Sequence, residues 1–450
     1  MRIRRPPAHW LAGLSLLPML VWWLGWYPGF ASSDTMDQWR QGLTGEYFNH
    51  HPPVHTIYLE ILSLGNTRPG LVTLFQICAL AGLLVYAAKR LIEAGVPSWL
   101  AIGVAWLVGA APAVVTTTLT LWKDVVFGLC LLWAWIELIH LSKDAGWERT
   151  WPTVRLGLAL AGVWAFRGNG PITVLLLFLL LAWVHRSRLR RMVRLVAVTA
   201  LTAILLTTVL ASAIGATGDG IDPSQVFLPD IAASLNSEPD TFSPEDIELL
   251  TDLAPLQIWT TRYTCYDSTP LLFDPSFDHE PLRSNRGAYR SLVVAVALRD
   301  PDSVLEHRAC VANFLYSPAQ PDDAYFHRPP YEIPPNTVGL ARARKSDRAF
   351  AVTDAIWRWG EEHLWLVWRP ALVLIPTAVV LAALATRRGT RPLLLAGFLW
   401  VAHLLNVALT SPAQELRYAY PLYVIGLLTL PLAWLLFRKQ SSLSGPDAGH

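Results

Sequence analysis

The chain has 450 residues, 53% of them hydrophobic and only 16% charged, and its mean hydropathy is positive. That balance excludes a water-soluble protein of this length and calls for a bilayer as solvent. A formal net charge of +2 lacks the bulk basicity that draws proteins onto nucleic acid, so no nucleic-acid partner is expected.

The first apolar stretch, Trp10 to Trp26, follows Arg2, Arg4 and Arg5. It is long and aromatic and has no small-x-small cleavage site before Asp34, so it reads as a retained first helix rather than a signal peptide. A spanning helix needs about 20 mostly apolar residues. Windows of that kind cover 8–28, 69–88, 98–117, 120–140, 154–168, 171–185, 192–214, 364–384, 392–410 and 418–437. The expected fold is therefore an all-α integral membrane protein with about ten transmembrane helices. The fifth and sixth windows are short, and Phe166-Arg167-Gly168-Asn169-Gly170-Pro171 between them predicts a tight hairpin with a polar tip.

Basic residues in short loops stay on the cytoplasmic side. With ten spans, Arg2/Arg4/Arg5, Lys89/Arg90, Lys143/Arg149/Arg155, Arg186/Arg188/Arg190/Arg191/Arg194, Arg387/Arg388/Arg391 and Arg438/Lys439 all fall on one side. The expected localisation is the plasma (inner) membrane, multi-pass, with both termini cytoplasmic. The chain then divides into an N-terminal transmembrane module at 1–214 with catalytic outer loops, a smaller, mainly helical extracytoplasmic domain at 215–363, C-terminal transmembrane helices at 364–440 and a cytoplasmic tail at 441–450. Cys265 and Cys310 lie in the outer domain, and a pair in an oxidising compartment usually bonds. Cys78 and Cys130 fall within helices and read as small buried apolar residues.

The polar residues that a bilayer makes costly come in chain order. Asp34 lies a few residues past the first span, where partial desolvation raises a carboxylate's basicity and suits it to act as a base. Asp37 and Gln38 follow about one turn later. Alternatively, Ser32 or Ser33 caps a surface helix and the two acids serve its N-terminus. His50 and His51 precede Pro52-Pro53, and a hydrogen-bonding role toward a substrate suits them better than metal ligation, because adjacent histidines rarely point at one ion. Trp122-Lys123-Asp124 opens the fourth span, where charges are expensive enough to suggest function. Arg167 and Asn169 offer a guanidinium fork and an amide beside glycines, which suits a phosphate. Arg417, followed by Tyr418, is the second phosphate candidate.

No Walker loop, dinucleotide fingerprint, zinc-spaced Cys/His set or G-x-S-x-G elbow occurs, so an ATP-driven pump has little support. The polar groups gather at one membrane face instead of at mid-depth, where secondary transporters keep theirs.

Ser33-Asp34-Thr35 through Gln38 with His51-Pro52, then Trp122-Lys123-Asp124, Arg167-Gly168-Asn169-Gly170 and Arg417-Tyr418 with Pro421 resemble a bacterial branch of the GT-C glycosyltransferases that carries W-K-D and R-x-N-G signatures. The resemblance covers about two thirds of the chain and leaves 215–363 unmatched. It implies a polyprenyl-phosphate-linked sugar as donor, an envelope glycan or glycolipid as acceptor, membrane lipids as surroundings and an extracytoplasmic active site. In that scheme Asp34 is the base, Lys123, Arg167 and Arg417 stabilise the leaving phosphate, and Asp124 orients the sugar or holds a divalent ion, Mg or Mn, with the metal requirement left open. Better-known members of the class often show two adjacent acids in the first loop. Asp34 and Asp37 are three apart, which leaves the base open between them. A transporter or flippase of a lipid-linked glycan is the main rival reading, and an envelope-assembly protein anchored by its spans is a third.

Overall fold

The computed structural model of the chain describes residues 7–142, 150–184, 189–218, 223–322, 324 and 326–437. Among them every named element is helical, and only four isolated β-bridges occur. Arg2, Arg4, Arg5, Lys143, Arg149, Arg186, Arg188, Arg438, Lys439 and the 441–450 tail lie outside the described residues. Among the described residues, seven helices are long and apolar enough to cross a membrane: Ala8–Gly25, Pro69–Ala94, Lys123–Leu141, Arg190–Ala213, Leu364–Thr386, Arg388–Thr410 and Leu416–Phe437. The protein is thus a multi-pass helical membrane protein.

In the numbering used below, α1 is Leu16–Gly25, α2 Ser33–Thr44, α3 Pro53–Leu62, α4 Pro69–Ala94, α5 Ser98–Ala110, α6 Pro112–Thr118, α7 Lys123–Leu141, α8 Thr150–Ala165, α9 Gly170–Val184, α10 Leu189–Ile204, α11 Leu228–Ser237, α12 Arg286–Arg299, α13 Pro301–Val311, α14 Asp347–Glu362, α15 Ala371–Thr386, α16 Leu394–Thr410 and α17 Leu416–Thr429.

The ten apolar windows all fall on helices, but only seven are simple spans, or eight if the bent pair α5 and α6 counts as one. Pro112 explains the bend. It forces Ala111 into extended backbone, and the two helices meet at 62°. The windows at 154–168 and 171–185 become α8 and α9, of 16 and 15 residues. At 1.5 Å per residue their described parts reach about 24 Å.

The main core runs through α1, α4, α7, α8, α16 and α17 and takes in Trp357 and Trp368. A separate core, from Leu228 to Val296, holds α11 and α12 together. The segment 215–363 is therefore not one packing unit: its first part has its own core, while Phe314, Phe326 and Trp357 pack with the membrane helices.

Two glycines shape the end of the bundle where polar residues gather. Gly29 has a φ of +122°, and a Cβ there would lie 2.3 Å from the Leu119 carbonyl oxygen. This closeness lets Phe30 N–H donate to Leu119 O at 2.9 Å and Leu121 N–H donate to Phe30 O at 3.0 Å. At the α8–α9 tip, a Cβ on Gly170 would sit 2.0 Å from the Val163 carbonyl oxygen. Gly170→Ala should accordingly destabilise the protein by about 1–3 kcal/mol through overpacking, read as a lower thermal midpoint in detergent, while Gly168→Ala, with open space around it, should be nearly silent.

The strand-like stretch 411–416 before α17 is clasped from several sides. Ser268 N–H donates to Pro412 O, Gln414 N–H to Tyr266 O, His327 N–H to Gln414 O and Leu416 N–H to His327 O, at 2.8–3.1 Å. Arg308 donates to Ser411 O at 3.3 Å, Arg369 to Gln414 Oε1 at 3.0 Å and Gln414 Nε2 to Cys310 O at 3.1 Å. Cys310 is joined to Cys265 by a disulfide.

Candidate functional site

Four chain segments meet at one end of the bundle: the start of α2, the 119–123 turn into α7, the 166–170 tip and the entry into α17. Ser32 and Thr35 form a capping box that opens α2, so Asp34 lies in its first turn. Thr35 Oγ1 donates to Leu121 O at 3.1 Å, and Trp122 Nε1 donates to Ser32 Oγ at 2.7 Å. These two bonds hold the Asp34 backbone against the start of α7.

There the charges converge. Asp34 Oδ2 accepts from Arg417 Nη1 at 2.7 Å and lies 3.8 Å from Lys123 Nζ. Lys123 in turn donates to His51 Nδ1 at 2.7 Å, which requires the imidazole to be neutral with its proton on Nε2. Arg417 is gripped by Glu415 and lies 5.3 Å from the centre of the Trp122 ring. Deeper, Arg167 Nη1 and Asp124 Oδ1 form an ion pair at 3.2 Å, with side chains 9% and 1% exposed. That ion pair is not accompanied by hydrogen bonds from Asp124 to any described residue. Arg167 lies over the Tyr418 ring at 4.4 Å, and the Tyr418 hydroxyl donates to Glu415 Oε1 at 3.2 Å. The result is a two-tier array of three cations, two aspartates and two aromatic plates.

Burial favours the neutral acid at Asp34, but the charges of Arg417 and Lys123 outweigh it and hold the carboxyl well below the usual carboxylate range. Burial, then the Lys123 ammonium, pushes the His51 imidazole down to about 2. His55, fully buried behind it, is pushed down to about 3 by the same two effects. Below the ordinary histidine value of 6.5 the unfolded chain binds protons that these folded imidazoles refuse, so stability falls as pH drops. At pH 5 each should cost about 2 kcal/mol. Thermal unfolding between pH 7 and 5 should show this loss, and His51→Asn should remove part of the slope.

The remaining predicted residues are placed differently. Asp37 is not brought to the cluster although it lies one turn from Asp34: it accepts from Gln41 Nε2 at 2.9 Å and faces Arg40 at 3.9 Å, both further along α2. Gln38 is buried and ties α2 to α3, donating to Thr56 Oγ1 at 3.2 Å and accepting from His55 Nδ1 at 2.9 Å. His50 is exposed and sits edge-on to His51. Asn169 donates to Thr410 Oγ1 at 2.8 Å, and its carbonyl accepts from Asn406 Nδ2 at 2.8 Å, so it locks the tip to α16. Glu415, which grips Arg417, was not singled out in the sequence. Its position two residues before Arg417 was the available signal.

The fit of a divalent ion can be tested on these groups. Among the described residues no three His, Cys, Asp or Glu side chains are grouped to hold a metal. Asp34 and Asp124 are each matched to cations of the chain itself. The residues present do not fit Mg or Mn.

A profile described as a family of unknown function (DUF6020) matches residues 43–272, just over half of the chain, and the protein belongs to that family. The matched span holds His51, Lys123, Asp124 and Arg167 and leaves Asp34 and Arg417 outside. No curated protein and no solved structure matches the chain.

Proposed function

Starting from membership of a family of unknown function, we propose that the protein is an inverting, GT-C-type membrane glycosyltransferase. It moves a sugar from a polyprenyl-phosphate donor to an envelope glycan or glycolipid on the extracytoplasmic face of the plasma (inner) membrane. One observation carries this reading: Lys123, Arg167 and Arg417 converge with Asp34 at the span ends remote from Lys89, Arg90, Arg387 and Arg388. By the positive-inside tendency those basic flanks are cytoplasmic, which puts the array outside.

The chemistry follows from the charges. The acceptor hydroxyl oxygen attacks the anomeric carbon, the bond from that carbon to the phosphate oxygen breaks, and the hydroxyl proton passes to Asp34. Polyprenyl phosphate leaves with a growing negative charge that Arg417 and Lys123 stabilise. In the unliganded chain these two cations hold Asp34. A phosphate that draws them off raises the basicity of the carboxylate at the moment it is needed. In this reading the outer segment 215–363, part of which clasps the entry of α17, closes over the acceptor.

The test is sugar transfer by the purified protein in lipid nanodiscs with a panel of polyprenyl-phosphate sugars and envelope glycan acceptors. Release of polyprenyl phosphate by the wild type and not by Asp34→Asn supports the enzyme and its base. Release by both keeps the enzyme and removes Asp34 from that role. Bound donor with no release by either favours the transporter.

A further inference from the structure

Helix α14, Asp347–Glu362, has three faces where a surface helix needs two. At about 100° per residue, Phe350, Thr353 and Trp357 share one side, and that side meets the protein. The Trp26 ring lies 5.0 Å from Phe350 and 5.4 Å from Trp357, and Trp26 Nε1 donates to Thr353 Oγ1 at 2.8 Å. A second sector carries Asp354, Arg358 and Glu361. Asp354 accepts from the Tyr331 hydroxyl at 2.6 Å and from Arg358 at 3.0 Å, and Glu361 accepts from Arg328 at 2.6 Å. The third sector, Val352, Ala355, Ile356 and Trp359, is apolar and exposed, Val352 by 57% and Trp359 by 46%.

Both ends of this helix are fixed to span ends. Before its first turn, Lys345 N–H and Ser346 N–H donate to Leu24 O, at 2.9 and 3.2 Å, in the last turn of the first span. After Glu362 the chain enters the span Leu364–Thr386 directly. Trp357 touches Trp26 from one span and Trp368 from the other, so both span ends lie on the same side of the bundle. A helix about 24 Å long is thus tethered at both ends to the ends of two candidate spans. Trp365 and Leu366, exposed on the first turn of the second span, continue the apolar sector into the span itself. Arg344, Lys345 and Arg348 are exposed at the opposite end.

We propose that the exposed sector of α14 is a membrane-surface contact, sunk into the boundary between headgroups and acyl chains. Val352, Ile356 and Trp359 enter the apolar side of that boundary, and Arg344, Lys345 and Arg348 reach anionic headgroups. Continuity with the lipid-facing surface of the following span, aromatic residues at its rim and basic residues at its start favour lipid over a protein partner. The polar sector then faces water beside the candidate site.

Site-directed spin labelling tests the proposal on the full chain, with the Cys265–Cys310 disulfide kept and Cys78 and Cys130 replaced by Ala. Single labels are placed through Val352→Cys, Ile356→Cys, Trp359→Cys and, on the polar sector, Arg358→Cys. All four positions are exposed, so the labels displace no core, and a monodisperse elution profile checks each variant. In nanodiscs of phosphatidylglycerol and phosphatidylethanolamine, the ratio of oxygen to nickel-chelate collisions at 352, 356 and 359 should exceed that at 358 several-fold. Equal ratios at all four positions would put the sector in water and overturn the proposal. Low collision with both reagents at 352, 356 and 359 would mean that protein covers the sector, which overturns it equally.

Discussion

Asp34→Asn is expected to lower sugar transfer by about 10²–10⁴-fold while leaving the donor bound at least as tightly as in the wild type. The two halves of this expectation have one source. Asp34 Oδ2 is shared by Arg417 at 2.7 Å and Lys123 at 3.8 Å, so the carboxylate competes with any incoming phosphate for the same two cations. An amide keeps the shape and one acceptor oxygen but loses both the charge that competes and the basicity that takes the proton. Rate and affinity should therefore move in opposite directions. A steady-state assay reads the first, and equilibrium binding of a polyprenyl phosphate to the variant reads the second. A parallel fall in both would mean that Asp34 only shapes the pocket.

Arg167→Ala should have the largest effect on stability, about 3–5 kcal/mol, the usual cost of leaving one partner of a buried ion pair alone. Asp124 is 1% exposed, and its oxygens make no hydrogen bond within the described residues, so without Arg167 its charge is left to the more distant Lys123 and Arg417. Asp124→Asn combined with Arg167→Gln removes both charges and should recover much of the loss in a thermal unfolding series. If the double variant folds but transfers no sugar, the pair acts on the substrate as well as on the fold. If the double variant is as unstable as Arg167→Ala, the coupling between the two side chains is not electrostatic.

Much of the membrane part was legible because hydropathy and Pro/Gly chemistry act locally. The hairpin tip at Arg167 to Gly170 follows from residues a few positions apart. The number of spans was less legible: a window average does not register a 62° bend. At the site, the residue types that bilayers penalise drew attention to Asp34, Lys123, Asp124, Arg167 and Arg417, and the fold brings these five within ion-pair reach of one another in two linked groups. What could not be read was the pairing. Arg417 meets Asp34 across 383 positions, and no local pattern distinguishes that partner from Asp124. Asp37 and Asn169 carried the right chemistry but point into structural bonds, because helix phase and the identity of Thr410 decided their direction.

The clasp around 411–416 fixes the order in which the array can come into being. Asp34 is made first and Arg417 last, and the guanidinium is presented only by a segment that borrows bonds from Tyr266, Ser268, Arg308, Cys310, His327 and Arg369. A chain cut before α17 lacks Arg417, and of the two cations at Asp34 it keeps Lys123. The stretch from 266 to 369 is therefore the jig on which the guanidinium is set against a carboxylate from the other end of the chain.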